Sequence, residues 1–178
     1  MAGHKRLFAD VQWLRFLDNH QHHWSVFSRS RATVDYDNNT DLFTGAYFNY
    51  TTKSGLGASI VGKINSTEGA VDAGLHIFKV KSDWMLFGLA SLGLKSDLEY
   101  SWFSILRYTP KVGARCRLYT SLELFFLFQK NRHVYSVQRL RVGLDWQGLQ
   151  FGLANNLAEF GTAWQTDNNF GGFVRKVF

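Results

Sequence analysis

The sequence is poor in residues that anchor many small folds. Its 178 residues include one cysteine, Cys116, and one proline, Pro110. A lone cysteine cannot form an internal disulfide, and it excludes a metal site built from several cysteines. No run of 18 or more apolar residues occurs, so the sequence has no candidate transmembrane helix. This absence does not exclude a protein that crosses a bilayer with strands, because such strands alternate apolar and polar residues.

Charged residues are also scarce. They make up 19% of the chain, and the net charge is +6. The surface of a soluble domain usually carries about 25–35% charged residues. The basic residues are scattered rather than clustered, which argues against a nucleic-acid partner. The length fits one domain, and we expect residues 1–178 to form a single unit. No secretory leader is recognisable, so in an exported protein we expect it to have been removed.

A two-residue alternation runs along almost the whole chain. Between Val134 and Trp146 the even-numbered positions are mostly apolar, while the odd-numbered positions include Arg139, Arg141 and Asp145. Successive side chains of a strand point to opposite faces. The pattern therefore predicts a sheet with one apolar face and one polar, charged face.

The alternation falls into eleven segments separated by turn residues, such as Gln147-Gly148 and the run 166–169. Their even spacing predicts consecutive antiparallel hairpins, and no segment has a helical period. We expect strands at 6–18, 23–36, 41–52, 55–67, 70–82, 84–95, 98–109, 115–128, 133–146, 149–160 and 169–178. A closed barrel of hairpins needs an even number of strands. We therefore expect twelve strands, with ten as the alternative. A strand could be missed near 18–24, 95–100 or 160–168.

The polar face carries a distinctive set of charges. Arginine predominates on it, and carboxylates accompany the arginines. In a membrane barrel this face would line the interior, where arginines and carboxylates pair closely. The residues predicted to line this interior are Arg29, Arg31, Lys63, Asp72, Arg107, Arg117, Glu123, Arg139, Arg141, Asp145 and Arg175.

Aromatic residues on the apolar face gather near the strand ends, whereas the strand middles carry Leu, Val, Ile and Ala. Tyrosine and tryptophan collect at membrane–water interfaces, where they form girdles around membrane barrels. The predicted girdle residues are Trp24, Tyr36, Tyr50, Trp84, Tyr100, Trp102, Tyr108, Phe128 and Trp146.

The chain ends with Phe-Val-Arg-Lys-Val-Phe, in which Val174 and the final Phe178 share a face. Together with the alternation, this ending resembles bacterial outer-membrane β-barrel proteins, whose final strand usually ends in an aromatic residue. In that class the position two before the end is often aromatic too, whereas this chain has Lys176. The resemblance implies an outer-membrane location, contact with lipid or detergent, and recognition of Val174 and Phe178 by the barrel-assembly machinery.

Catalytic and metal-binding patterns are scarce. His20, His22 and His23 lie in a predicted turn, where we expect a solvated loop. His133 and Ser136 are three residues apart, so a regular strand would place them on opposite faces and out of hydrogen-bond reach. We therefore expect no enzyme activity, no catalytic residues, no cofactor and no metal.

These observations together predict an antiparallel up-and-down transmembrane β-barrel of the porin type. Its expected function is passage of small solutes, with a mild preference for anions set by the arginines. Two alternatives stay open. One is a non-conducting outer-membrane barrel that serves as a structural, adhesive or partner-binding protein, and the other is a soluble ligand-binding barrel.

Overall fold

A computed structural model describes residues 1–18, 22–37, 39–94 and 98–178. Within these ranges the chain forms twelve antiparallel strands that close into a barrel. None of the described residues forms a helix that is long and apolar enough to cross a membrane. The strands are β1 (Ala2–Gly3), β2 (Arg6–Phe16), β3 (Trp24–Asp35), β4 (Thr40–Thr51), β5 (Leu56–Asn65), β6 (Gly69–Lys81), β7 (Trp84–Gly93), β8 (Glu99–Tyr108), β9 (Cys116–Gln129), β10 (Arg132–Trp146), β11 (Leu149–Phe160) and β12 (Gln165–Lys176).

The strand order follows the chain, so each long strand pairs with its sequence neighbours through short turns. The expected fold class and the preferred count of twelve are confirmed. The position of the missing strand is different from the predicted ones. It is β1, which precedes the first predicted segment, while two of the three suspected junctions include residues outside the described ranges. The predicted turn at 166–169 is wrong, because these residues belong to β12 and the turn is formed by residues 161–164.

The two faces of the barrel differ as the alternation predicts. Outward side chains such as Val11, Leu75 and Val174 are more than 70% exposed, which identifies a broad apolar outer belt. Inward side chains such as Arg29 and Glu123 are 1–2% exposed. Exposed apolar surface of this extent suits contact with hydrocarbon rather than with water. The interior also contains apolar groups, including Phe8, Tyr47 and Phe103, that the sequence pattern did not assign to it.

The barrel has two ends, which the strand directions define. At the C-terminal end, where β12 finishes, lie the turns 82–83 and 147–148. At the opposite end, here called the Trp164 end, lie the turns 130–131 and 161–164. Lys130, Asn131 and Trp164 adopt positive φ values of 49°, 62° and 51° in these turns. Non-glycine residues rarely adopt this conformation, so these two turns are locally strained.

Strand β1 forms the seam that closes the barrel. Ala2 and Gly3 pair with Gly172 and Gly171 of β12, while Ala2 alone pairs with Leu7 of β2. Because β1 is antiparallel to both neighbours, β2 and β12 run in the same direction. A Cβ atom on Gly171 would lie 1.9 Å from the carbonyl oxygen of Ala2, so only glycine permits this close approach.

The buried Asn169 side chain reinforces the seam. Its Oδ1 accepts hydrogen bonds from the backbone N–H groups of Lys5 and Arg6, at 3.0 and 3.3 Å, and its Nδ2 donates to the Arg6 carbonyl at 3.1 Å. Asp167 forms ion pairs with the side chains of the same two residues. Side-chain bonds thus replace strand pairing where β1 has ended.

We expect Asn169→Ala to destabilise the barrel by about 1–3 kcal/mol, because it leaves buried backbone groups without partners. The measurement is the denaturant midpoint of the protein in lipid vesicles. Asn168→Ala, the outward neighbour on β12, is the matched control. Equal midpoints for the two variants would show that the Asn169 bonds do not hold the seam.

Candidate functional site

The predicted interior residues all lie on the inward parity of their strands. Most belong to the middle of the barrel, whereas Arg117 lies at the C-terminal mouth and reaches the Thr109 carbonyl and Asp83. Asp145 also lies near that end, where it accepts from the Gly148 N–H and the Gln150 amide. Their role in solute passage stays a prediction.

Glu123 is the centre of a buried cluster of charges. It forms ion pairs with Arg29 at 2.7 Å, with Arg31 at 3.0 Å and with Arg139. Asp10 accepts a second set of bonds from Arg29, including one of 2.9 Å from Nε. Three guanidinium groups therefore share one fully buried carboxylate. The buried charges compensate each other only while all members of the cluster are present.

Aromatic rings fill the interior beside this cluster. Tyr47 packs with Val61 and Leu89, and its ring lies 5.3 Å from Phe27 and 6.4 Å from Phe103. Cavities of about 450 Å³ and about 200 Å³ lie toward the Trp164 end and the C-terminal end, respectively. Tyr47 lines the first cavity and Phe27 the second, so packed rings and ion pairs stand between them.

The predicted girdle aromatics lie on the outer surface near the strand ends. Trp24 packs against Tyr50 in a tilted arrangement, and Trp84 stacks with Tyr108, both at the C-terminal end. Tyr100 and Phe128 stack 5.2 Å apart at the other end. The remaining predicted girdle residues are Tyr36, Trp102 and Trp146, all exposed, with Tyr36 donating to the Gly3 carbonyl. Val174 is exposed on β12, and Phe178 lies two residues beyond the strand end.

Two members of the predicted histidine group, His22 and His23, lie at the C-terminal end within the described ranges. His20 lies outside the described residues, His22 stacks on Phe16, and His23 bonds to the Thr51 carbonyl. Partial burial acts to raise the pKa of Asp18, but hydrogen bonds from the backbone of His23 and Trp24 outweigh it and lower that pKa. No group of three or more His, Cys, Asp or Glu side chains suited to a metal occurs in the described ranges.

An unexpected polar cluster lies on the outer face near the Trp164 end. A β-bulge between His133 and Tyr135 shifts the register of β10 against β9. The bulge leaves Val134 as an extra residue, so His133 and Ser136 share the outward face. The expectation of opposite faces is therefore wrong, because it assumed a regular strand.

Three side chains of this cluster form a hydrogen-bonded chain. The His133 Nε2 lies 3.1 Å from the Ser136 Oγ, and the Ser136 hydroxyl donates a hydrogen bond of 2.7 Å to the Glu159 carboxylate. The His133 Nδ1 is 2.8 Å from the Gly161 carbonyl, which can only accept, so Nδ1 carries a proton. In the neutral ring Nε2 is then a proton acceptor facing the serine. The cluster of His133, Ser136 and Glu159 is here called the rim site.

The rim site is enclosed by aromatic rings and by the outer belt. His133 and Ser136 are 6% and 0% exposed. The Trp164 ring stacks on the imidazole with centroids 3.7 Å apart, and Phe128 contacts it edge-on. Trp164 itself is 43% exposed. A hydroxyl between two bases at an apolar, water-poor rim fits a nucleophile that acts on a membrane-embedded substrate.

Sequence reasoning considered His133 and Ser136 but missed Glu159. A signal was present in the parity of β11. Positions 149, 151, 153 and 157 are apolar and face outward, and the polar Asn155 and Glu159 share their parity. Glu159 lies one residue from the end of β11, where a carboxylate costs little, but a charged side chain on the lipid-facing parity still departs from the apolar pattern.

The fold is similar to a known class of outer-membrane proteins. No known protein family and no curated protein matches the sequence. Among solved structures, LpxR from Salmonella typhimurium has a similar fold, with a TM-score of 0.54 over 98% of this chain and 90% of that chain. The identity is 7%, so the similarity shows the fold alone. This chain thus has the fold of an outer-membrane β-barrel.

The similarity contradicts one prediction. LpxR is a lipid A deacylase, so a barrel of this architecture serves as an enzyme scaffold. The expectation that the chain is not an enzyme is therefore wrong as an inference from fold and composition. The search for local sequence signatures did not find the rim site, whose side chains come from two strands and are covered by a turn.

Proposed function

We propose that the protein is an outer-membrane hydrolase that cleaves acyl esters of membrane lipids at the rim site. The observation that carries the proposal is the position of the Ser136 hydroxyl, within hydrogen-bond distance of both His133 and Glu159 on the lipid-facing surface. The outer belt and the girdles support the membrane location. Ser136 is fully buried, so a substrate held in the surrounding leaflet would reach the site sideways once a covering ring such as Trp164 moves aside.

The arrangement supports a two-step reaction. The Ser136 hydroxyl first turns its proton from Glu159 to the His133 Nε2. Its oxygen then attacks the ester carbonyl carbon while that proton passes to the imidazole. The ester C–O bond then breaks, and the imidazolium returns that proton to the departing alkoxide. A water molecule repeats the sequence on the acyl-serine, which releases a fatty acid and regenerates the hydroxyl. The Gly161 carbonyl holds the imidazole in the required tautomer throughout.

Two further groups have defined tasks in this reaction. Glu159 holds the serine oxygen in place and offsets the positive charge that develops on His133. Gln138 lies two residues along β10 on the outward face, and its side chain makes no hydrogen bond within the described ranges. Its amide N–H groups are therefore available for the oxyanion of the tetrahedral intermediate.

The test is covalent labelling with a fluorophosphonate, which reacts with activated serines. The protein is incubated in lipid vesicles, and the labelled residue is identified by peptide mass spectrometry. We expect label on Ser136 in the unaltered protein and in Ser104→Ala, an outward serine elsewhere in the belt. Label at several serines alike, or none at Ser136 in a folded barrel, would refute an activated nucleophile.

The predicted passage of small anions is less well supported by the interior. The Glu123 cluster and the ring packing of Tyr47 lie between the two cavities. We therefore expect no steady conductance in planar bilayers, which matches the non-conducting alternative for the interior. An anion-selective conductance that Arg139→Glu or Arg141→Glu reverses would restore the channel prediction.

Recognition of Val174 and Phe178 by the barrel-assembly machinery stays part of this proposal.

A further inference from the structure

A second candidate site lies inside the barrel, at the C-terminal end. The cavity of about 200 Å³ is lined by Phe16, Phe27, Phe78, Phe87 and Ile105 on its apolar side. Arg107 and Arg175 also line it. This combination of aromatic wall and cationic groups differs from the Glu123 cluster, where every arginine described above contacts a carboxylate.

Arg107 and Arg175 have no carboxylate partner within the described ranges. Arg107 reaches the Gln12 amide oxygen at 3.2 Å, and Arg175 donates to the Tyr119 hydroxyl at 3.1 Å. The Arg107 Nε is buried without a hydrogen-bond partner. Two guanidinium groups in one partly buried space, with donor capacity left over, favour a bound anion.

Most of the remaining polar groups of the cavity already have hydrogen-bond partners. His76 bonds to the Thr51 hydroxyl at 2.9 Å and to the Ser59 hydroxyl at 2.7 Å, and Ser59 donates to Asn49 at 2.7 Å. These groups therefore need no hydrogen bond from a ligand. The unsatisfied features of the cavity are thus its cationic groups and its apolar wall.

The strand positions give the ligand an orientation. Arg107 and Arg175 lie one residue from the ends of β8 and β12, close to the mouth at the C-terminal end. Phe27 and Phe87 lie three residues inside β3 and β7, deeper in the barrel. A ligand would therefore place its charge at the mouth and an alkyl chain inward.

We infer that this cavity binds a single-chain amphiphile with an anionic carboxylate or phosphate head. The guanidinium groups bind the head, and the aromatic wall holds the first part of the chain. This site is independent of the rim site, since it opens at the other end of the barrel and on the other face of the wall.

The experiment measures binding of carboxyl-¹³C decanoate by NMR, with the protein in nanodiscs of zwitterionic lipid. Decyl phosphate competes as the other anionic head, decanol tests the neutral head, and acetate tests the head without a chain. Empty nanodiscs correct for partition into lipid. We expect saturable decanoate or decyl phosphate binding, with decanol and acetate at least about tenfold weaker. The tighter of the two anions identifies the head.

Variants separate the site from general charge effects. Arg107→Gln and Arg175→Gln should each weaken anion binding about tenfold or more, whereas Arg115→Gln, in the exposed loop at the same end, should leave it unchanged. A denaturant midpoint for each variant confirms folding. Equal binding of decanol and decanoate, or no loss in the folded Arg107 and Arg175 variants, would overturn the inference. Ser136→Ala keeps the binding, so this result does not depend on the rim site.

Discussion

Replacing Ser136 with alanine is expected to reduce acyl-ester hydrolysis to the background rate. Without the hydroxyl, no acyl-serine forms, and the two neighbouring bases have no nucleophile to activate. His133→Gln removes the proton acceptor and donor but keeps a polar side chain, and we expect a fall of about 10²- to 10⁴-fold. Glu159→Gln retains a hydrogen-bond partner for Ser136 and should lose less.

The assay follows fatty-acid release from vesicles that contain a diacyl phospholipid, with the ether-linked analogue as the substrate control. Ser104→Ala is the matched protein control, because Ser104 is another outward-facing serine and accepts a bond from Trp102. Full hydrolysis by folded Ser136→Ala would rule out the rim site as the catalytic centre. Equal release from ester and ether lipids would rule out ester cleavage.

The second large effect is expected at Glu123. Glu123→Gln removes the carboxylate that pairs with Arg29, Arg31 and Arg139, and it leaves only Asp10, which is bonded to Arg29, beside three cations in a closed interior. Removing one partner of a buried ion pair costs about 3–5 kcal/mol, because the remaining charge is uncompensated. We expect a loss of this size, measured as the free energy of unfolding by urea in lipid vesicles.

Asp145→Asn is the matched control for Glu123→Gln. Asp145 is also an inward carboxylate, but it lies near the C-terminal end and accepts from uncharged groups. We expect Asp145→Asn to cost about 1 kcal/mol. A similar cost for both variants would mean that water reaches the Glu123 cluster and screens it.

Most of the fold could be predicted because each long strand carries its own signal. Alternation and turn residues predicted the positions of β2 to β12. The predicted bounds were least accurate for the final strand, which starts at Gln165 rather than at residue 169. Strand β1 has two residues, which is too short for any alternation to show. Its pairing depends on glycines of β12 that are distant in sequence, so only the even-number argument pointed to it.

The rim site could not be predicted because it depends on an irregularity. Parity places His133 and Ser136 on opposite faces, and one bulged residue reverses that result. Sequence spacing carries no record of which residue will be left unpaired. The available clue was the carboxylate at position 159, which follows the polar Asn155 on the lipid-facing parity of β11.

The two-residue closure described for β1 has a mechanical consequence. Adjacent long strands are joined by nine or more residue pairs. Strand β1, in contrast, forms two residue pairs with β12 and one with β2. A lateral force on the barrel wall would break the pairing through β1, between β2 and β12, before it breaks the pairing within any hairpin. Closing this seam should therefore be the last step of insertion into the membrane, and opening it should be the first step of extraction. With the seam open, the barrel becomes an open, curved sheet.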